Sequence, residues 1–178
     1  MQKKRADIAV ASFACILLTG AAPASGETGT HTRRVRPLED HVEHLVRNGV
    51  LRSPSLRGMV ERLDRSDVVV YVGCAALPRP LAGDLTFLSA TGGVRYVMVR
   101  LLCEGTSELQ MGFLGHELQH AIEIADRPDV VDEPSLVRAY SEFGIRRPPG
   151  PTGSESFDSM EADLAGRRIW REVAVQTD

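Results

Sequence analysis

The order of apolar and polar residues predicts strands in the middle of the chain. Residues 68–72 read VVVYV, a β-branched and aromatic run without polar alternation that is typical of a buried strand. Residues 85–90 and 94–102 predict two more strands, and the Thr-Gly-Gly sequence at 91–93 predicts a hairpin turn between them. These two strands are therefore expected to be antiparallel neighbours in a three-stranded sheet.

Helical spacing of apolar residues marks segments on both sides of these strands. A short helix is expected over residues 38–46, and Ser53 followed by Pro54 is typical of the N-cap and first residue of another. The sequence contains no internal repeat, so the pattern indicates one α+β domain over residues 38–178. Three further helices are predicted after the strands, over residues 107–125, 135–143 and 155–173.

The longest of these helices carries the sequence His-Glu-Leu-Gln-His at residues 116–120. Residues four apart lie one turn above each other on the same helix face, so His116 and His120 can aim two imidazoles at one point. Glu117 lies beside the first histidine, where its carboxylate can reach a water bound to the metal. This spacing is typical of a zinc hydrolase with two histidine ligands and a carboxylate general base.

The alternative is an amphipathic helix with two solvated histidines, because so short a motif also occurs by chance. The surrounding residues argue against it. No charged residue lies between Leu109 and His116, and none lies between Glu117 and Glu123. Histidine and glutamate side chains in a largely buried helix need partners, and a divalent cation supplies them. The sequence therefore favours a metal site.

The first residues of the chain have the pattern of an export signal. The basic residues Lys-Lys-Arg at 3–5 precede a short apolar run, and Ala-Pro-Ala at 22–24 offers small residues to a signal peptidase. The apolar run is short for a membrane span, so an uncleaved anchor is the less favoured alternative. We expect residues 1–24 to be a cleaved signal peptide, residues 25–37 to be a flexible N-terminus, and the mature protein to be periplasmic or secreted.

The charge of the chain argues against two kinds of partner. The formal net charge is −3, and loss of residues 1–24 removes three basic residues and one acidic residue, which leaves −5. A mildly acidic chain gives no reason to expect nucleic acid or an anionic membrane surface as a partner. The charge does not identify a substrate.

Two cysteines, Cys74 and Cys103, remain in the expected mature chain, and each follows a predicted strand. In an oxidising compartment such a pair is a candidate disulfide. The two sulfurs would lie at the same end of the sheet if the strands were parallel neighbours. The alternative, two small buried residues that never meet, stays open at the level of the sequence.

A three-stranded sheet before a His-Glu-x-x-His helix, with further helices after it, resembles the zincin metallopeptidases over about residues 68–173. The chain is also similar to short exported bacterial proteins that carry HELQH and an acidic C-terminal helix. No histidine follows His120, so the resemblance is to the gluzincin type, in which a later helix supplies an acidic third ligand. It implies a Zn²⁺ cofactor, a peptide or protein substrate, and Glu117 as the general base.

The third ligand is expected among acidic residues around the last helix. On a helix over residues 155–173, Asp158 and Glu161 fall on the apolar face and Asp163 on the opposite, solvated face. The similar exported proteins have an acidic residue directly after an aromatic one, which implies Asp158 and leaves Glu161 as the alternative. Glu123 is expected to orient a histidine or a side chain that faces it instead. The full set of candidates is Glu123, Glu155, Asp158, Glu161 and Asp163.

The resemblance implies less about the substrate side of the site. The strand that ends near Leu102 is expected to be the sheet edge that lines an extended substrate. Gly112 and Gly115 either give room to the substrate or allow the helix to pack closely on the sheet. Either Tyr140 or Arg146 could be the residue that stabilises an oxyanion, and the sequence does not decide between them. Since the chain is small, a non-catalytic zinc-binding module is the alternative to a peptidase.

Overall fold

The computed structural model describes residues 33–148 and 156–175, so the expected signal peptide at 1–24 lies outside the described residues. These residues form a mixed α+β structure with five helices and two sheets. In chain order the elements are β1 (Val35–Pro37), α1 (Asp40–Arg52), α2 (Pro54–Asp64), β2 (Val68–Cys74), β3 (Gly83–Thr91), β4 (Val94–Leu101), α3 (Ser107–Ala125), α4 (Glu133–Phe143), β5 (Ile145–Arg147), β6 (Ser156–Asp158) and α5 (Met160–Ala174).

The larger sheet has four strands in the order β1-β2-β4-β3, where three were expected. The added strand, β1, lies in the segment 25–37 that was predicted to be flexible. That prediction was wrong for its last three residues. Val35 pairs with Val70 of β2 and is 3% exposed. Pairing with a strand more than 30 residues away orders this segment, and three residues are too few to show a periodic pattern.

The position of β4 differs from the expectation that it forms the sheet edge. It pairs in parallel with β2 and antiparallel with β3, so β4 is central and β3 is the edge strand. The predicted hairpin between β3 and β4 is confirmed. Gly92 and Gly93 have φ angles of 58° and 75°, which side chains larger than glycine rarely adopt.

The parallel pairing of β2 and β4 also decides between the two alternatives for the cysteines. The strands end side by side, with Cys74 paired to Leu101. Cys74 and Cys103 form a disulfide with their Cα atoms 5.5 Å apart. The pair therefore links the ends of two adjacent strands.

Helix α3 is the most buried helix of the fold because it contacts three strands and α5. Leu114 and Leu118 are fully buried, and buried residues occur all around the helix. This explains the uncharged residues around the motif. Thr106 is the N-cap, and its hydroxyl accepts a hydrogen bond from the amide of Leu109.

The C-terminal end of α3 is held by Arg95 of β4, a residue that the sequence pattern did not single out. Its side chain is 5% exposed and donates to the carbonyl oxygens of Ile124, Arg127 and Val130 at 2.7, 2.6 and 3.2 Å. It also forms an ion pair with Asp67 at 2.7 Å. One guanidinium thus gives an additional donor to three carbonyl groups at the end of the helix and just beyond it.

Glycines allow α3 and α5 to approach each other closely. A Cβ atom on Gly166 would lie 2.9 Å from the carbonyl oxygen of Gly112. A Cβ atom on Gly115 would lie 2.1 Å from Cδ1 of Ile169. Close packing was one of the two expected roles for Gly112 and Gly115, but their partner is α5 and not the sheet.

The last helix begins five residues later than predicted. Ser159 is its N-cap and accepts a hydrogen bond from the amide of Ala162. The preceding residues form β6, which pairs with β5. The buried face of α5 consists of Ala162, Gly166, Ile169 and Val173, so the prediction that Asp158 and Glu161 lie on the apolar face of this helix was wrong.

No helix in the described part of the chain is long and apolar enough to cross a membrane.

Candidate metal centre

Three predicted ligands converge where α3 meets β6. Oδ1 of Asp158 lies 3.2 Å from Nε2 of His116 and 3.6 Å from Nε2 of His120. One ligand atom from each of the three residues lies within 4.8 Å of the other two. The structure therefore brings together the three residues that were predicted as ligands.

The route by which Asp158 reaches the histidines differs from the prediction. It is the last residue of β6 and not part of the last helix. The argument from helix faces was therefore wrong for this residue. The next residue, Ser159, fixes the position of Asp158. Its amide donates to Oδ1 of Asp158 at 2.7 Å, while its hydroxyl caps the N-terminus of α5.

The other acidic candidates occupy different positions. Glu161 is exposed and does not join the cluster. Asp163, which was expected on the far side of the helix, lies with Oδ1 3.8 Å from Nδ1 of His116 and pairs with Arg167 at 3.5 Å. The difference arises because the face of α5 that packs on α3 contains Gly166, which is three residues from Asp163 and so lies close to it on the helix surface. Glu155 lies outside the described residues.

Glu123 orients His120, as predicted. Its Oε2 lies 2.9 Å from Nδ1 of His120 and accepts a hydrogen bond from the Tyr140 hydroxyl at 2.6 Å. Its Oε1 accepts one from the Ser159 hydroxyl at 2.6 Å. When the imidazole is neutral and its Nδ1 proton is donated to this carboxylate, the lone pair of His120 is on Nε2, the atom that faces Asp158. Histidines that bind metals in proteins are commonly held in this way.

Charged neighbours set the protonation of this cluster. Burial alone would raise the pKa of Asp158, but hydrogen bonds from His116, His120 and Arg147 hold it well below its usual value. Burial opposes the charged form of His120, but hydrogen bonds to Asp158 and Glu123 outweigh it and raise its pKa to about 10. The carboxylates of Asp158 and Glu123 thus favour a positive charge at the position of His120.

Arg147 is a part of the site that sequence reasoning did not identify. Its Nε and Nη2 atoms donate to Oδ2 of Asp158 at 3.1 and 2.6 Å. This leaves Oδ1 directed at the histidines. Arg146, the residue considered as an oxyanion partner, places its guanidinium 5.6 Å from the centre of the Phe157 ring. In the sequence, Arg146 and Arg147 are recognisable only as a basic pair before a proline-rich segment.

Glu117 lies next to the cluster but is not one of the three grouped ligands. It is 5% exposed, and burial raises its pKa to about 7. Gly83, the first residue of the edge strand β3, lies directly against it. A Cβ atom at Gly83 would be 2.5 Å from Oε1 of Glu117. Any larger residue at position 83 would displace this carboxylate.

The donor set fits zinc. Two imidazole nitrogens and one carboxylate oxygen are the ligands of many catalytic zinc sites. Bonds of about 2.0–2.1 Å in a tetrahedral arrangement place ligand atoms about 3.3 Å apart. The separations of 3.2 and 3.6 Å from Asp158 to the two histidines are close to this value.

A cavity of about 240 Å³ adjoins the cluster between α3 and α5. It begins at His116 and continues along the same face of α3 toward the N-terminus of that helix. Its wall is largely apolar, with a charged pair at one side. The lining residues are Leu109, Gly112, Phe113, His116, Asp163, Gly166, Arg167 and Trp170.

Comparison of the chain with protein-family models, with curated proteins and with solved structures finds no match. The function is therefore argued from the geometry of the site.

Proposed function

We propose that the chain is an exported zinc-dependent hydrolase, and specifically a metallopeptidase of the zincin type. The observation that carries this proposal is the convergence of His116, His120 and Asp158, with ligand atoms within 4.8 Å of one another. Glu117 lies beside them and is buried. The same four residues follow from the spacing of the motif and from the resemblance.

His116, His120 and Asp158 would hold Zn²⁺. The ion would supply Lewis acidity, which polarises a substrate carbonyl and lowers the pKa of water. Glu123 and Tyr140 would keep the His120 ring in its orientation. Arg147 would keep one oxygen of Asp158 away from the ion by pairing with it. These contacts exist in the described residues without any rearrangement.

Glu117 would act as the general base. A carboxylate whose pKa is raised to about 7 by burial accepts a proton from water more readily than a solvated one and can return it to a leaving amine. The side chain lies under the start of β3, whose outer edge has no partner strand in the described sheet. An extended peptide that pairs with this edge would pass above Glu117. The adjoining cavity would accept an apolar side chain of that peptide.

Metal content and hydrolysis test the proposal together. We expect the purified chain to contain one zinc ion that a chelator removes, and we expect His116→Ala and His120→Ala to lose it. Glu117→Gln should retain the ion but lower peptide hydrolysis by about 10²–10⁴-fold, the range for loss of a general base. His44→Ala, an exposed histidine on α1, is the matched control and should change neither quantity.

Loss of zinc in Glu117→Gln would show that this residue is a ligand and would contradict the assigned role. Absence of bound zinc in the wild-type chain would contradict the proposal as a whole. The cluster would then be a set of ion pairs that joins β6 to α3.

A non-catalytic zinc-binding module is the second candidate. The hydroxyl of Tyr140 donates to Glu123, and the guanidinium of Arg147 pairs with Asp158. These two hydrogen-bond donors near the cluster thus already have partners. This candidate is favoured if zinc binds with the expected stoichiometry and neither the wild-type chain nor Glu117→Gln hydrolyses peptides.

A further inference from the structure

A second group of metal-ligating residues lies at the other end of the helix that carries the motif. His41 of α1 lies beside the Cys74–Cys103 disulfide, and one ligand atom from each residue is within 4.8 Å of the other two. In the disulfide the sulfurs cannot act as thiolate ligands. The group can bind a metal only after reduction.

A hydrogen bond to a buried side chain holds the ring of His41. Its Nε2 lies 2.8 Å from Oε1 of Gln110. Gln110 is 3% exposed, and its amide nitrogen donates to the carbonyl oxygen of Gly105 at 3.3 Å, so its oxygen is the atom that faces the imidazole. His41 therefore carries its proton on Nε2, and the lone pair is on Nδ1. A buried side chain that fixes a histidine tautomer is typical of metal sites.

The surroundings favour a cation. The carboxylate of Glu39 accepts a hydrogen bond from the amide of Cys74 at 3.1 Å, which places a negative charge next to the sulfur pair. Cys74 and His41 are exposed, so an ion and a reductant can reach them. His44, one helical turn further along α1, instead contacts Arg47.

We propose that reduction of the Cys74–Cys103 disulfide creates a second metal site, in which the two thiolates and His41 bind a zinc-like divalent ion. A dithiol or phosphine reductant supplies two electrons, the S–S bond breaks, and each sulfur takes one proton. Both protons leave when the thiolates bind the ion.

Zn–S bonds of about 2.3 Å and Zn–N bonds of about 2.0–2.1 Å require ligand atoms about 3.5–3.8 Å apart. The ligand atoms of the three residues already lie within 4.8 Å of one another, and the two sulfurs can separate once the S–S bond is broken. Water takes the fourth position.

This site does not depend on the proposed hydrolase, and it can be tested without it. The full chain with His116→Ala and His120→Ala is treated with a phosphine reductant or left oxidised, and Zn²⁺ and Co²⁺ are added. We expect no binding by the oxidised chain and one ion per chain after reduction, with a thiolate-to-cobalt charge-transfer band. Equal binding before and after reduction would overturn the proposal.

The role of His41 is tested in the same background by two matched variants. His41→Ala should weaken binding to the reduced chain strongly, whereas His44→Ala should leave it unchanged. Gln110→Ala should weaken it by about 10–100-fold, the range for a residue that orients a ligand. Two cysteines in an unfolded chain would bind zinc regardless of which histidine is removed. Equal affinities of His41→Ala and His44→Ala would therefore overturn the proposal.

Discussion

Asp158 contributes to the candidate site through its two oxygens in different ways. Oδ1 faces the two histidines, and Oδ2 is paired with Arg147. The short side chain reaches them because the next residue, Ser159, is held to α3 by the hydrogen bond from its hydroxyl to Glu123. The assignment of Asp158 as the third ligand therefore depends on its position directly before Ser159, the N-cap of α5.

We predict that Asp158→Ala weakens zinc binding by more than the roughly 10–100-fold typical of outer partners of a metal ligand. The loss removes one of three protein donors and leaves Arg147 as an unbalanced charge. Competition with a chromogenic chelator measures the affinity. Glu161→Ala is the control and should have no effect, because Glu161 is exposed and outside the cluster. If Glu161→Ala strips the ion instead, the assignment of Asp158 is wrong.

At the scale of elements, the contact between α3 and α5 determines where His116 lies. A Cβ atom on Gly166 would be 2.9 Å from the backbone oxygen of Gly112 and 3.2 Å from Cβ of His116. Backbone atoms cannot move aside without shifting a helix. The packing of two helices and the geometry of the site are therefore linked at one glycine.

We predict that Gly166→Ala lowers the free energy of unfolding by about 1–3 kcal/mol, as overpacking in a core does. It should also weaken zinc binding, because α3 and α5 must separate. Gly58→Ala is the matched control on α2, where a Cβ atom would meet nothing within 4 Å. There the gain in helix propensity should stabilise by about 0.5–1 kcal/mol. Chemical denaturation measures both, and equal effects would contradict the argument.

The contact between β4 and the end of α3 gives a second prediction about elements. Arg95→Met should lower the free energy of unfolding by about 3 kcal/mol or more, since it removes a buried cation that donates to three carbonyl groups and pairs with Asp67. Arg100→Met on the same strand removes an exposed ion pair with Asp84 and should cost less than about 1 kcal/mol. Similar losses in both variants would contradict the role assigned to Arg95.

The partner of Arg95 adds a pH dependence. The hydrogen bond from Arg95 holds the pKa of Asp67 below its usual value of 3.8. A lowered pKa in the folded state stabilises the fold above pH 3.8, and this contribution is lost as the pH falls through the folded-state value. The stability of Asp67→Asn should therefore approach that of the wild type in acid and differ most near neutral pH. A constant difference across pH would contradict this account.

At the scale of the molecule, the disulfide joins the ends of two central strands. The 29-residue separation between Cys74 and Cys103 predicts a loss of about 3.5 kcal/mol when the crosslink is removed. We expect the double variant Cys74→Ser and Cys103→Ser to unfold at correspondingly lower denaturant concentration. Wild type treated with reductant and no metal should match it. A double variant as stable as the oxidised wild type would contradict the prediction.

The sequence by itself determined the features that depend on neighbours in the chain. Helical spacing placed His116, Glu117 and His120 on one helix, and the apolar residues around them indicated its burial. The glycines at 92 and 93 determined the hairpin, and Ser53 determined a helix start whose cap the structure confirms. Each of these follows from backbone preferences within a few residues.

Only the tertiary structure decided what depends on residues far apart in the chain. The pairing of β5 with β6 moved Asp158 from the predicted helix to a strand, and the insertion of β4 beside β2 made β3 the edge. Arg95 and Arg147 have roles that no local pattern marks, since their partners lie in other elements. Strand order and buried polar contacts depend on which surfaces meet when the chain folds, and a one-dimensional pattern contains that information only indirectly.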